Sequence, residues 1–78
     1  MKTTRYFDSL STRPDRVGIK RDWIKKVVEQ PEMEQVQRDG RIRRWGCVPE
    51  AGYRYLRVIL LDDGETVHNV FFDRGFKL

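Results

Sequence analysis

The only histidine of the chain, His68, lies between apolar residues in the segment 65-ETVHNVFFDRGF-76. An imidazole has an ordinary pKa of about 6.5, so it can give or take a proton near neutral pH. One reaction that uses such a group is RNA cleavage, in which a base removes the proton of a ribose 2′-hydroxyl and arginines hold the phosphate. His68 therefore has two interpretations. It is either a packing residue in a small apolar cluster or the acid-base group of an active site.

Arginines are concentrated in the middle of the chain. Between residues 38 and 57 the only acidic residues are Asp39 and Glu50, whereas the arginines are Arg38, Arg41, Arg43, Arg44, Arg54 and Arg57. The guanidinium fork pairs with phosphate or carboxylate, so this bias favours RNA or an acidic protein as the partner. A solvated sheet face explains the same bias equally well. The net charge of +4 is consistent with either interpretation.

Length and composition exclude several classes of protein. A chain of 78 residues is long enough for one compact domain and too short for two cores. The single cysteine, Cys47, permits no internal disulfide, which suits a reducing compartment. One cysteine and one histidine suggest no metal site, and nothing in the sequence points to a cofactor. Because the first ten residues lack the apolar run of a signal peptide and no stretch is apolar enough to cross a membrane, we expect a cytoplasmic protein without a membrane partner.

The first part of the chain, residues 4–30, is predicted to be helical. A short helix is expected over 4–10, a connecting loop over 11–18 and a second helix over 19–30. Apolar residues recur at helical spacing in the second segment, and Pro31 ends it. The apolar residues of that stripe are Ile19, Trp23, Ile24, Val27 and Val28.

The rest of the chain reads as strands. Two Asp-Gly pairs, at 39–40 and 63–64, each lie between extended runs, which is the pattern of a β-hairpin. With a further turn at 49–52, the strands are expected over 33–38, 41–48, 53–62 and 65–72, followed by a short basic tail at 73–78. The prediction is a single α+β domain, 1–78, in which one or two N-terminal helices pack on a four-stranded antiparallel β-meander.

Strand pairing assigns side chains to faces. A two-residue loop at 63–64 pairs Leu60 with Val67 and Ile59 with His68. The predicted core face then holds Leu56, Val58, Leu60, Val67 and Phe71. The opposite face holds Val70 and Phe72 together with the three residues that we predict to be catalytic, which are Tyr55, Arg57 and His68.

The first hairpin and the tail supply the predicted RNA-binding residues. A two-residue loop at 39–40 pairs Arg38 with Arg41, Val36 with Arg43 and Glu34 with Trp45, so these six side chains share a face. The arginines would hold phosphate, and Trp45 would stack on a base. Because a slip of one residue in the strand pairing would move Arg43 and Trp45 to the other side of the sheet, the sequence does not determine their face. Arg74, which follows the last strand, either closes over the same face or lies in solvent.

Several segments resemble a family of small bacterial proteins that is frequent in cyanobacteria. They are KRDWIKKVVEQP, DGRIRRWG, RYLRVILLDDGETVHNVFFDR and the basic tail, and the resemblance spans about residues 20–77. That family is similar to the BrnT and RelE toxins of toxin-antitoxin pairs. The resemblance implies helices followed by a curved antiparallel sheet, a ribonuclease activity on messenger RNA, free or ribosome-bound, and neutralisation by a cognate antitoxin protein. It fixes no catalytic position.

Two hypotheses of different classes follow. The first is a metal-independent endoribonuclease toxin that is silenced when an antitoxin covers the arginine-rich face. The second is a non-catalytic module that binds RNA or a protein through the same face. They differ in the role of His68, because only the enzyme requires its imidazole.

Overall fold

A computed structural model describes all residues, 1–78. Two helices, α1 (Arg5–Leu10) and α2 (Arg21–Glu29), precede four strands, which are β1 (Met33–Val36), β2 (Ile42–Val48), β3 (Arg54–Leu60) and β4 (Val67–Phe72). The strands form one antiparallel sheet in the order β1-β2-β3-β4. The predicted α+β arrangement of helices followed by a four-stranded meander is therefore confirmed.

The start of α1 and the end of α2 follow from local chemistry. The hydroxyl of Thr4 accepts a hydrogen bond from the amide of Phe7 at 3.0 Å, which caps α1 at its first turn. Helix α2 ends at Glu29. The next residue, Gln30, precedes Pro31 and so cannot easily stay helical. Neither helix has the length and apolar character needed to cross a bilayer.

The core lies between the helices and one face of the sheet. Helix α2 packs close to β2 because Gly46 lacks a side chain: a Cβ there would lie 2.9 Å from Cγ2 of Val27. Burial of these apolar side chains is the main force that holds the helices on the sheet. The nine residues of the main core cluster are Phe7, Ile24, Val27, Val48, Leu56, Val58, Leu60, Val67 and Val70.

The pairing predicted for β4 is wrong beyond Val67. Leu60 pairs with Val67 as expected, but Ile59 pairs with Asn69 and not with His68, because an extra residue makes a β-bulge there. Every later residue of β4 therefore changes face. Val70 is buried in the core, and Phe72 packs against it from the same side, whereas Phe71 lies opposite Arg57 on the other face.

The first hairpin also differs from the prediction by one residue. The amide of Gly40 donates to the carbonyl of Gln37 and has φ of 90°, while the Gln37 amide donates to the carbonyl of Arg41. These bonds define a three-residue loop with a glycine bulge instead of a two-residue turn. Consequently Arg43 pairs with Gln35 and Trp45 with Met33, in place of the predicted pairs with Val36 and Glu34.

The N-terminal segment covers part of the edge of the sheet at β4. The amide of Thr4 donates to the carbonyl of Val67 at 3.0 Å, and the Val67 amide donates to the carbonyl of Lys2 at 2.9 Å. Thr3 thereby forms a parallel bridge to Val67. The bonds satisfy β4 backbone groups that an edge strand would otherwise expose, and they place α1 beside the bulge that contains His68.

Candidate functional site

The side of the sheet that faces away from α2 is called here the open face. Gly46 meets Val27 of α2, so its neighbours in β2 point away from the helix. β3 and β4 contribute further side chains in register with them. The open face contains Arg43, Trp45, Cys47, Tyr55, Arg57, Ile59, Asn69 and Phe71.

Trp45 is buried on the open face by the C-terminal tail, residues 73–78, and not by a helix. The ring of Phe76 stacks on Trp45 with 4.8 Å between the centroids, and it also contacts Tyr55 at 5.0 Å. As a result Trp45 is only 6% exposed. The tail holds this position through the amide of Asp73, which donates to the carbonyl of Tyr55 at 2.9 Å. Phe76 therefore occupies the place where a nucleobase would stack on Trp45.

Asp73 is the acidic group at the centre of this cluster. Its carboxylate accepts the indole N–H of Trp45 at 3.0 Å, the amide of Gly75 at 3.1 Å and Nη1 of Arg57 at 3.5 Å. The bond from Trp45 is the largest influence that lowers the pKa of Asp73; burial opposes it, and Gly75 and Arg57 reinforce it. The aspartate is thus held ionised as the counter-charge of Arg57.

Arg57 lies among aromatic rings and close to another arginine. Its guanidinium carbon is 5.1 Å from the ring centroid of Phe71 and 5.5 Å from that of Trp45. Burial is the largest cause that lowers the pKa of Arg57, the charge of Arg43 acts in the same direction, and Asp73 opposes both. Its Nε is buried and has no hydrogen-bond partner. An anion on this face would relieve the repulsion between the two arginines.

Arg43 and Arg41 extend the positive surface toward the first hairpin. Nη1 of Arg43 donates to the Gln35 side chain at 3.4 Å, which holds the guanidinium along the sheet. Arg41 lies 3.9 Å from the carboxylate of Asp39 and is about half exposed. Exposed pairs of this kind are weak, so Arg41 is available to an incoming anion.

Arg44 differs from its neighbours, because it points to the helical side. Its Nε lies 2.7 Å from the carboxylate of Glu34, and its Nη1 donates to the carbonyl of Val28 at 2.8 Å. It connects the sheet to the end of α2 and is a structural arginine.

His68 lies in the bulge, beside α1. Its Nδ1 is 3.1 Å from Oγ1 of Thr4, and its ring stacks on Tyr6 with 4.9 Å between the centroids. Burial lowers the pKa of His68, and the nearby charge of Arg41 lowers it further. The imidazole is therefore mainly neutral at pH 7, the form that a general base requires.

The structure divides the predicted site residues into two groups. Arg57, Trp45 and Tyr55 lie together beneath the tail, with Arg43 alongside. His68 makes its contacts with Thr4 and Tyr6, has Arg41 nearby, and contacts neither Arg57 nor Tyr55 through a hydrogen bond or a ring. Arg74 makes no hydrogen bond or ion pair and lines a cleft beside Tyr55, so it does not close over His68.

Four residues of these clusters were missed from the sequence, namely Thr4, Tyr6, Asp73 and Phe76. Only Asp73 gave a local signal, because an Asp two residues before a Gly is typical of a turn that reverses the chain. The parallel bridge between Thr3 and Val67 brings Thr4 and Tyr6 next to His68, and no local sequence pattern predicts that bridge. The structure brings together no group of three or more His, Cys, Asp or Glu side chains that could hold a metal ion.

Comparison of the chain with protein-family models, curated proteins and solved structures found no match.

Proposed function

We propose that the protein is an endoribonuclease toxin of a toxin-antitoxin pair, which binds messenger RNA on the open face and cleaves it without a metal ion. The main support for the proposal is the position of Arg43 beside Arg57. The two side chains are close enough for the charge of Arg43 to lower the pKa of Arg57. Such like charges on one sheet face favour an anionic ligand. Arg41 continues this surface to His68, which supplies the acid-base group.

The chemistry begins at the imidazole. In the tautomer whose Nδ1–H donates to Oγ1 of Thr4, Nε2 carries a free lone pair and can take the proton of a ribose 2′-hydroxyl. The 2′-oxygen then bonds to phosphorus and the bond to the 5′-oxygen breaks. The products are a 2′,3′-cyclic phosphate and a 5′-hydroxyl group.

The other predicted residues have supporting roles in this reaction. Arg41, whose charge lies near His68, would stabilise the negative charge that grows on the phosphorus oxygens, and Arg57 would hold a neighbouring phosphate of the same RNA. Burial raises the pKa of Tyr55, and the charges of Glu32 and Cys47 add to the effect, so its hydroxyl stays protonated and can donate to RNA. Because the chain has one histidine, the leaving oxygen takes its proton from the imidazolium or from water.

The cognate antitoxin would act on the same arginines. An acidic segment of an antitoxin can occupy the surface of Arg41, Arg43 and Arg57 and compete with RNA for it. This partner follows from the charge of the face and from the resemblance of the sequence to toxins of this type.

A second function is favoured by a different observation. Arg57 is neutralised by Asp73, and Phe76 already covers Trp45, so this part of the face resembles a stable surface more than an open catalytic centre. Such a stable surface with exposed arginines is sufficient for a non-catalytic module that binds RNA or a protein.

Purified protein and a single-stranded RNA decide between the two functions. Wild type should produce fragments with 2′,3′-cyclic phosphate ends, His68→Gln should bind RNA but not cleave it, and Arg43→Ala should bind it less tightly. Arg13→Ala, which removes an exposed loop charge, is the matched control for binding. Binding without fragments by wild type would support the non-catalytic module and contradict the nuclease.

A further inference from the structure

A cleft lies at the end of the sheet where β3 begins and β4 ends. It has a volume of about 280 Å³, close to the smallest sites that hold small molecules. Its walls are aromatic and basic, and we call it the nucleotide cleft. The lining residues are Tyr53, Arg54, Tyr55, Phe72, Asp73, Arg74 and Phe76.

Tyr53 is held in a conformation that tyrosine seldom adopts. Its φ is 60°, it is the only residue other than glycine with a positive φ, and the residue is 72% exposed. Tyr53 follows Gly52, and its amide donates to the carbonyl of Val48, which closes the turn between β2 and β3. A large exposed ring on a backbone conformation that tyrosine seldom adopts indicates a use for that ring outside the core.

Arg54 presents a guanidinium that is already oriented. The guanidinium carbon lies 3.9 Å from the ring centroid of Phe72, and its Nε donates to the carbonyl of Ala51 at 2.8 Å. These contacts fix the plane of the group and leave its terminal nitrogens without protein partners. Less side-chain freedom is then lost when an anion binds.

The charges of the cleft favour an anion. Arg74 is exposed, and neither Arg54 nor Arg74 makes an ion pair, so both guanidinium groups of the cleft lack an acidic partner. Its one acidic residue, Asp73, is occupied by Trp45, Gly75 and Arg57. Aromatic rings beside free arginines are the combination that recognises a base and its phosphate.

We infer that the nucleotide cleft binds one nucleotide unit of a single-stranded RNA, with the base against the exposed ring of Tyr53 and the phosphate on Arg54 and Arg74. The inference deepens the proposed function, since it adds a subsite for the same RNA beside the open face. It does not need the RNA to be cleaved.

The test uses the full chain and an RNA that cannot react. A hexamer of 2′-O-methyladenosine lacks the nucleophilic hydroxyl, and an abasic hexamer of the same backbone carries equal charge without bases. We expect the first hexamer to shift the backbone amide NMR signals of Tyr53, Arg54 and Gly75, and to bind at least about 5-fold more tightly than the abasic one.

Two variants separate the ring from the charge. Tyr53→Gly removes the ring at a φ that glycine accepts readily, so it should fold; it should weaken binding of the hexamer at least about 5-fold. Arg54→Ala should weaken binding of both hexamers, and Arg13→Ala, which makes the same charge change in a remote loop, should do so less.

Three results would overturn the inference. They are equal affinity for the two hexamers, unchanged binding by Tyr53→Gly, and equal affinity for free AMP and for the hexamer, which would assign the cleft to a free nucleotide. The assay is independent of the nuclease. If the chain cleaves RNA but shows one of these three results, the proposed nuclease function stands and the nucleotide cleft is rejected. If the chain shows none of them but does not cleave RNA, only the nuclease function is rejected.

Discussion

Phe76 stacks on Trp45 with 4.8 Å between the ring centroids and 13° between the ring planes. The contact closes a small second cluster on the open face, separate from the core beneath α2. It also joins the end of the chain to the arginines of the middle strands, because Trp45 shares the carboxylate of Asp73 with Arg57. The tail is thus a structural part of the face that we propose binds RNA.

Removal of the Phe76 ring should expose Trp45. We expect Phe76→Ala to lower the free energy of unfolding by about 1–2 kcal/mol, since an aromatic pair and part of a large apolar surface are lost. Tryptophan fluorescence should shift to longer wavelength. Leu78→Ala, at a tail residue that is 71% exposed, is the control and should change neither property. An unchanged spectrum for Phe76→Ala would contradict the packing described.

Gly46 should tolerate no side chain. Gly46→Ala places a Cβ 2.9 Å from Cγ2 of Val27, so α2 must move or the side chains must strain. Urea unfolding should show a loss of about 1–3 kcal/mol. In Gly18→Ala the new Cβ meets nothing within 4 Å, so this variant should be as stable as wild type or slightly more so. Equal effects of the two substitutions would argue against close packing of α2 on β2.

Tyr53 offers a test of backbone strain. At φ of 60° alanine retains the steric cost that glycine avoids, so Tyr53→Gly should be more stable than Tyr53→Ala by about 1 kcal/mol. At an ordinary strand position glycine would be the less stable of the two. Thermal unfolding of both variants measures the order, and a more stable alanine variant would contradict the left-handed conformation.

The sequence predicted the elements better than their registers. Asp-Gly pairs marked both hairpins correctly, but a glycine with positive φ suits loops of two, three or four residues, so the pairs alone did not justify the two-residue loops that we predicted. In the second hairpin the amide of Leu61 donates to the carbonyl of Thr66. Within the turn the carboxylate of Asp63 accepts hydrogen bonds from the amides of Glu65 and Thr66 and from the Thr66 hydroxyl. Local composition does not distinguish this four-residue loop from a shorter one.

The placement of His68 shows a limit of a different kind. Alternation put its side chain away from α2, but the bulge between Val67 and Asn69 lies where the N-terminal segment bonds to Val67 from the far end of the chain. Such a contact between distant segments leaves no local periodicity. For the same reason the return of Phe76 onto Trp45 could not be read from the tail.

The pH dependence of stability should report the environment of His68. Its pKa is below the ordinary value of 6.5 in the folded chain, so the unfolded chain binds more protons as pH falls through this range. Stability should therefore decrease from pH 7.5 toward the folded-state pKa. His68→Gln, which cannot titrate, should lose less stability than wild type when urea unfolding is compared at pH 7.5 and pH 5. Equal losses would mean that the pKa of His68 is not depressed.

Asp73 should limit the affinity for RNA. Asp73→Asn keeps an acceptor for the indole N–H of Trp45 and removes the negative charge beside Arg57. We expect RNA to bind about 2- to 5-fold more tightly at low salt. Asp22→Asn makes the same change of charge on α2 and should have a smaller effect. If the two variants bind RNA equally, net charge and not the open face determines affinity.

Induced expression of wild type and of His68→Gln in a bacterial host, with cellular RNA examined from both cultures, tests the proposed nuclease in the cell. We expect growth arrest and cleaved messenger RNA for wild type, and growth with intact RNA for His68→Gln at equal levels of folded protein. Normal growth and intact RNA with abundant, folded wild type would show that the protein is not a ribonuclease toxin in that host.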